Sequence, residues 1–225
     1  MLLKMIDIII PVLNEEKILR EKREYYLWLK TKARVIFVDG GSFDQTVMIA
    51  GEYGKVIHSP CGRAVQMNTA AAMSQGESFL FLHVDTFLSD EALAQMDAAL
   101  KNGSDGGCFT MKITEEAFIF RVFEFLVNFR ARYFKVFDGD LGVFVKKDVF
   151  NRLGGFDQVG IMEDILFSKK LRKTGPLAVL PGKIFVSGRR WYEKGFWKTF
   201  VKYSQAYFQL WNGTMTNRLE VQERN

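Results

Sequence analysis

With 225 residues, 48% hydrophobic and 25% charged, the chain is long enough to bury a sizeable core, and one domain with a short appendage is the expectation. Its net charge of +5 and pI near 9.1 suit an anionic partner, whether nucleotide diphosphate, nucleic acid or acidic membrane surface. Two histidines, His58 and His83, exclude a multi-histidine zinc site and argue against a Ser-His-Asp arrangement, so carboxylates must carry any acid-base or metal chemistry. Cys61 and Cys108 follow no CxxC spacing; neither a disulfide framework nor a thiolate metal site is expected, and a reducing cytoplasm fits.

Ile6-Asp7-Ile8-Ile9-Ile10-Pro11 is too short, and too interrupted by Asp7, for a signal-peptide core or a membrane span, and predicts a buried first strand over 5–10. Further strands are predicted at 34–38, 55–58 and 79–83, alternating with helices as in a parallel sheet covered by helices. Residues 15–30 place Ile18, Leu19, Tyr25, Tyr26 and Leu29 roughly on one helical face. Ser42 and Gln45 read as a capping box for the second helix, and Ser89 as the cap of another that carries Leu93, Met96 and Leu100. A strand over 107–113 precedes an aromatic stretch, 116–137. Its seven phenylalanines are interrupted by Arg121, Glu124, Arg130, Arg132 and Lys135 too often for a transmembrane helix. A helix over 162–173 ends at Gly175-Pro176, short strands follow at 177–180 and 183–186, and a final amphipathic helix is expected over 191–211.

In an open α/β sheet, ligands bind beyond the carboxyl ends of the strands, so the polar residues after each apolar run are the candidates. These are Asn14-Glu15-Glu16, Asp39-Gly40-Gly41-Ser42, Ser59 to Arg63, and His83-Val84-Asp85-Thr86. Each has a plainer reading: Asp39 as a turn residue, and Glu15, Asp85 or the Glu163-Asp164 pair as acids at helix starts. Neither GxxxxGK[ST] nor a GxGxxG after the first strand occurs, which argues against a P-loop enzyme and a dinucleotide dehydrogenase. Carboxylates, an arginine and glycines gathered at several strand ends are what a charged nucleotide needs.

In sequence and order, Pro11 to Glu16, Val38 to Thr46, Gly62-Arg-Ala-Val-Gln-Met-Asn68, Phe81 to Thr86, Leu153-Gly-Gly-Phe156 and Glu163-Asp164 resemble the family 2 glycosyltransferases over about residues 5–191. The GRA-QMN segment and His83 to Thr86 are similar to the small bacterial subgroup associated with radical-SAM or selenium-related genes and with arsenosugar biosynthesis. The resemblance implies an α/β GT-A fold, with a mostly parallel sheet flanked by helices. It implies a transferase domain over 1–190, its nucleotide half at about 1–105 and its acceptor half at about 106–190, while helical spacing predicts the amphipathic helix and tail over 191–225. The implied activity is inverting transfer of a sugar, a hexose in type, from a nucleotide-diphosphate donor to a hydroxyl acceptor, small or lipid-linked, with Mg²⁺ or Mn²⁺ as cofactor.

The resemblance assigns Asp164 as catalytic base with Glu163 as its partner. Pro11, Leu13, Glu15, Asp39, Arg63 and Arg190 fall to the nucleotide, and Asp85 to the metal. Asp140 and Trp191 fall to an acceptor-side or structural role. His83 stands where the family's first metal-motif aspartate is expected, and Leu141 where the subgroup has glutamine. No nucleic-acid motif is present, and the C-terminal aromatic face is expected to close the sheet, form a dimer contact or lie on a membrane. A non-catalytic nucleotide-sugar-binding module and a nucleotidyltransferase remain the alternatives.

Overall fold

The computed structural model describes residues 3–188 of the chain. Eight strands form one sheet in the order β3-β2-β1-β4-β7-β6-β8-β5, comprising β1 (Leu3–Val12), β2 (Ala33–Asp39), β3 (Lys55–His58), β4 (Ser78–Phe81), β5 (Thr86–Leu88), β6 (Gly106–Ile113), β7 (Val143–Lys146) and β8 (Leu177–Val186). The β3, β2, β1 and β4 run is parallel. β7 enters antiparallel between β4 and β6, while β8 lies parallel to β6 and antiparallel to β5.

Strands β1, β2 and β4 are apolar at nearly every position because both faces of the sheet are covered. Ile9, Ile36, Val38, Phe79 and Phe81 belong to one buried cluster, with Met67 and Ala70 of α4 (Arg63–Met73), Phe150 of α7 (Lys147–Arg152) and Phe167 of α8 (Glu163–Leu171). Ile8, Ile10, Phe37 and Leu80 belong to the other cluster. That cluster includes Leu19 of α1 (Glu16–Glu21), Tyr26 and Leu29 of α2 (Arg23–Lys32), Ile49 and Tyr53 of α3 (Thr46–Tyr53), and Met96 of α5 (Ala92–Lys101). Asp7, fully buried in β1, accepts from Arg34 Nε at 2.5 Å, Gly76 N at 2.8 Å and the Ser74 hydroxyl.

The helix expected over 15–30 is two helices broken at Lys22, each bringing its own residues, Leu19 or Tyr26 and Leu29, into the core. The Ser42–Gln45 capping box does not form. Gly41, at φ 98°, turns the chain so that Asp44 accepts the Thr46 N–H at 2.9 Å, while the Ser42 hydroxyl accepts from Asn14 N. Ser89 likewise caps nothing with its side chain, because its hydroxyl accepts from Lys183 N across the sheet edge at 2.9 Å. The two short strands at 177–180 and 183–186 are one, β8, and the strand expected to reach His83 stops at Phe81.

The aromatic stretch forms α6 (Phe118–Phe134), which lies along an edge of β6 left without a strand. Asn128 bonds Met111 N and O at 2.8 and 3.0 Å, Glu124 accepts from Ile113 N, and Arg121 donates to Ile113 O at 2.7 Å. The polar residues that interrupt the aromatics therefore satisfy strand backbone that would otherwise be unpaired. No helix among the described residues is long and apolar enough to cross a membrane. The expected C-terminal helix lies outside the described residues.

Candidate active site

The loops after β1 and β2 interlock at the carboxyl end of the sheet. Asn14 N donates to Ser42 Oγ at 2.9 Å, Phe43 N to Asn14 Oδ1 at 3.0 Å, and Glu15 N to Thr46 Oγ1 at 2.7 Å. Asp39, only 2% exposed, accepts from Gly41 N and Ser42 N at 3.1 Å, and His58 Nδ1 lies 3.4 Å away. Its carboxylate thus shapes the loop from beneath. Pro11 is buried in register with Val38, whereas Leu13 is 36% exposed and Glu15 half-buried on the rim.

Helix α4 ties the separate loops together through three polar side chains. Arg63 Nε pairs with Glu163 Oε1 at 2.8 Å. Buried Gln66 donates from Nε2 to Val12 O at 3.0 Å and Val38 O at 2.6 Å, holding the ends of β1 and β2 together. Asn68 binds Phe156 N and O, both at 2.9 Å, and so holds the Gly154-Gly155-Phe156 turn. A β-carbon at Gly155, whose φ is 71°, would lie 2.6 Å from Asn68 Oδ1.

The corner beyond β4 collects the remaining charges. His83 Nδ1 lies 2.8 Å from Asp140 Oδ1, and Arg63 Nη1 lies 3.3 Å from His83 Nε2. Arg63 can only donate, so this pairing puts the ring proton on Nδ1, aimed at Asp140. Burial pulls the His83 pKa down, but the hydrogen bond and charge of Asp140 outweigh it and hold the pKa above its ordinary value. Asp164 Oδ2 accepts from Gly139 N, and a β-carbon at Gly139 would meet both His83 Nε2 at 2.6 Å and Asp164 Oδ2 at 3.0 Å. Glu163 is 2% exposed, while its neighbour Asp164 is half-buried. Burial raises the Glu163 pKa, Arg63 draws it back, and the adjacent Asp164 charge raises it again, leaving it above the usual glutamate value.

Asp85 is half-buried in the turn that joins β4 and β5, close enough to His83 to act on it electrostatically. Among the described residues no three His, Cys, Asp or Glu side chains form a ready-made cation cage. A single hard carboxylate oxygen fits Mg²⁺ or Mn²⁺ when diphosphate oxygens and water complete the shell, and Asp85 offers that donor. His83, directed to Asp140 and Arg63, is not a second one in this arrangement.

Arg63, Glu163, Asp164, His83 and Asp140 thus meet in one corner, with Asp85 beside it and Asp39 and Glu15 on the adjoining loops. Arg190 and Trp191 lie outside the described residues. The sequence marks the Gly62 to Asn68 segment but gives no work to Gln66 or Asn68, and nothing in it pairs His83 with Asp140. The usable signal was a set of four polar side chains, Arg63, Gln66, Asn68 and Thr69, on one short helix that is otherwise apolar.

A family model described as glycosyl transferase family 2 matches residues 7–150. No curated protein matches the chain. Among solved structures, S. aureus TarS 1–349 is similar at 20% identity and TM-score 0.65, over 84% of this chain and 62% of that one. The same TarS fragment in complex with UDP-GlcNAc matches at 20% identity and TM-score 0.62, over 81% and 58%. The mannosyltransferase PcManGT from Pyrobaculum calidifontis, in complex with GDP-Man and Mn²⁺, matches at 20% and 0.62, over 80% and 56%. The chain spans less than two thirds of each of these structures, and the likeness is one of fold, the GT-A architecture of a central sheet flanked by helices. With the family model covering well over half of its length and the strand-end loops assembled as that fold requires, the chain belongs to glycosyl transferase family 2.

Proposed function

We propose that this chain moves a sugar, a hexose in type, from a nucleotide-diphosphate donor to an acceptor hydroxyl with inversion, and that Asp164 is the general base. The observation that carries the reading is the contrast within one pair of acids. Glu163 is buried and bound to Arg63, while Asp164 is half-exposed at the corner where His83, Asp140 and Arg63 meet. An acceptor hydroxyl must lose its proton as it attacks the anomeric carbon, and Asp164, half-buried and holding its oxygens on Gly139 N and Ile165 N, is the acid of the pair exposed enough to take it. Glu163 fixes Arg63 and the start of α8, a supporting role.

The interlocked loops around Pro11, Leu13, Glu15 and Asp39 form the nucleoside side of the cleft, and Arg63 lies toward the diphosphate. Asp85 would hold the divalent cation, which when bound would supply charge compensation for the departing diphosphate. The nucleotide-sugar complexes of similar structures, UDP-GlcNAc in one and GDP-Man with Mn²⁺ in another, support a donor of this class. The Gly62 to Asn68 segment and the His83 to Thr86 motif support placement in the radical-SAM-associated subgroup.

Asp164→Asn keeps the side-chain shape and removes the base, so turnover should fall about a hundredfold or more with nucleotide affinity nearly unchanged. Glu163→Gln should cost less. Near-normal turnover in Asp164→Asn, measured as release of the nucleoside diphosphate by transfer, would overturn the assignment.

A further inference from the structure

Asp140 touches His83 and His83 touches Arg63, so a run of contacts links the segment before β7 to the residue that the proposed function sets toward the diphosphate. Asp140 lies in a single 3₁₀ turn, Gly139–Leu141, that the core holds from both sides. Phe137 and Leu141 are fully buried, Asp138 pairs with Arg130, and Gly139 N donates to Asp164. At Gly142, whose φ is 63°, a β-carbon would lie 3.0 Å from the side chains of both Ile184 and Phe109. The Asp140 carboxylate is therefore presented from a tightly fixed turn.

His83 sits against that turn with little freedom. Its side chain is 16% exposed, Nδ1 is 2.8 Å from Asp140 Oδ1, and a β-carbon at Gly139 would come within 2.6 Å of Nε2. A neutral imidazole carries one proton and a carboxylate can only accept, so Asp140 keeps that proton on Nδ1 and leaves a lone pair on Nε2. Arg63 Nη1, 3.3 Å from Nε2, donates into it, and Arg63 Nε donates to Glu163 Oε1 at 2.8 Å. Two separate N–H directions of one planar group are thus engaged, which fixes the plane of the guanidinium as well as its position.

We propose that Asp140 is a positioning residue for the donor: by fixing the tautomer of His83, it fixes the orientation in which Arg63 meets the diphosphate. The identity of that ligand rests on the transferase reading. The charge balance gives the arrangement a use. An acid at position 83 would share Arg63 between two carboxylates, its own and that of Glu163, and would repel a diphosphate. A neutral ring orients Arg63 without that second charge and keeps the carboxylate of Asp140 one ring's width away from it. The proposal sets to work on the donor side an acid that the family resemblance gives to the acceptor side or to structure.

Two readouts on the full chain test it, and because the Asp140 side chain is 44% exposed, substitutions there keep the fold. The chain has only two histidines, so nitrogen NMR of histidine-labelled protein resolves both rings, and His83→Gln identifies the signals of His83. At about pH 9, where an imidazole is neutral, wild-type His83 should be protonated on Nδ1. Asp140→Ala should shift the proton toward Nε2, and Asp140→Asn, whose amide oxygen still accepts, should restore Nδ1. The second readout is calorimetry with UDP and GDP in buffer free of divalent cations. Asp140→Ala should weaken nucleotide binding about fivefold to tenfold, Asp140→Asn should recover most of that loss, and in an Arg63→Met background Asp140→Ala should cost nothing further. A wild-type ring protonated on Nε2, an Asp140→Ala variant with wild-type affinity, or an equal loss with and without Arg63 overturns the proposal and leaves the transferase reading standing. Failure of wild type to bind either nucleotide overturns both.

Discussion

The Arg63–Glu163 pair shows how burial and charge compete at a single residue. Arg63 lowers the cost of a carboxylate at Glu163, yet burial wins and the pKa stays raised. Arg63→Met should therefore leave a buried acid without its partner. Removing one member of a fully buried pair costs about 3–5 kcal/mol, and because the Arg63 side chain is 44% exposed and screened by water, about 2 kcal/mol is expected at neutral pH. The raised folded pKa fixes the sign of the pH dependence. Stability contributed by Glu163 is fully present below its unfolded value and is lost as pH rises through the folded one. The cost of Arg63→Met should accordingly shrink as pH falls into that window, followed by urea denaturation at several pH values. A cost that does not change with pH would contradict the account. The place after a strand marked Arg63 and the family resemblance marked Glu163 and Asp164, but the Arg63–Glu163 pairing joins residues a hundred positions apart and had no local signal. Asp39 was legible as a strand-end acid. That its oxygens are taken up by Gly41 and Ser42 amides depends on the positive φ of Gly41.

Among the elements, α4 unites the site: Arg63 reaches Glu163 and His83, Gln66 the ends of β1 and β2, and Asn68 the turn at Phe156. Asn68→Ala deletes both bonds to Phe156 and should cost about 2 kcal/mol, or about 4–6 °C in melting temperature for a chain of this size. Nucleotide affinity should change little, because Phe156 is buried and packs on Phe167 of α8 with ring centroids 4.6 Å apart. A loss of nucleotide binding larger than the loss of stability would show that Asn68 acts on the donor directly. The parallel strands were readable because burial on both faces makes continuous apolar runs. Strands β5 and β7, only three and four residues long, were not. The helix starts at 42 and 89 were misplaced for a tertiary reason. Ser42 and Ser89 have the chemistry of caps, but Asn14 N and Lys183 N, distant in sequence, occupy their hydroxyls. In α6, the interrupting Arg121 and Glu124 correctly argued against a membrane span, and their service to the edge of β6 appears only when the sheet is complete.

At the scale of the whole molecule, one parallel half carries the interlocked loops after β1 and β2, and one mixed half carries Asp140, Glu163, Asp164 and α6. The account requires that the assembled cleft recognise a nucleoside diphosphate and that a divalent cation strengthen the contact through Asp85. The most direct measurement is a calorimetric titration of the full chain with UDP and with GDP, each with and without Mn²⁺, repeated on Asp85→Ala. One of the two nucleotides should bind wild type, Mn²⁺ should tighten it by about tenfold, and Asp85→Ala should lose most of that tightening while keeping the metal-free affinity. If neither nucleotide binds wild type in the presence or absence of Mn²⁺, the cleft is not a donor site and the central claim fails.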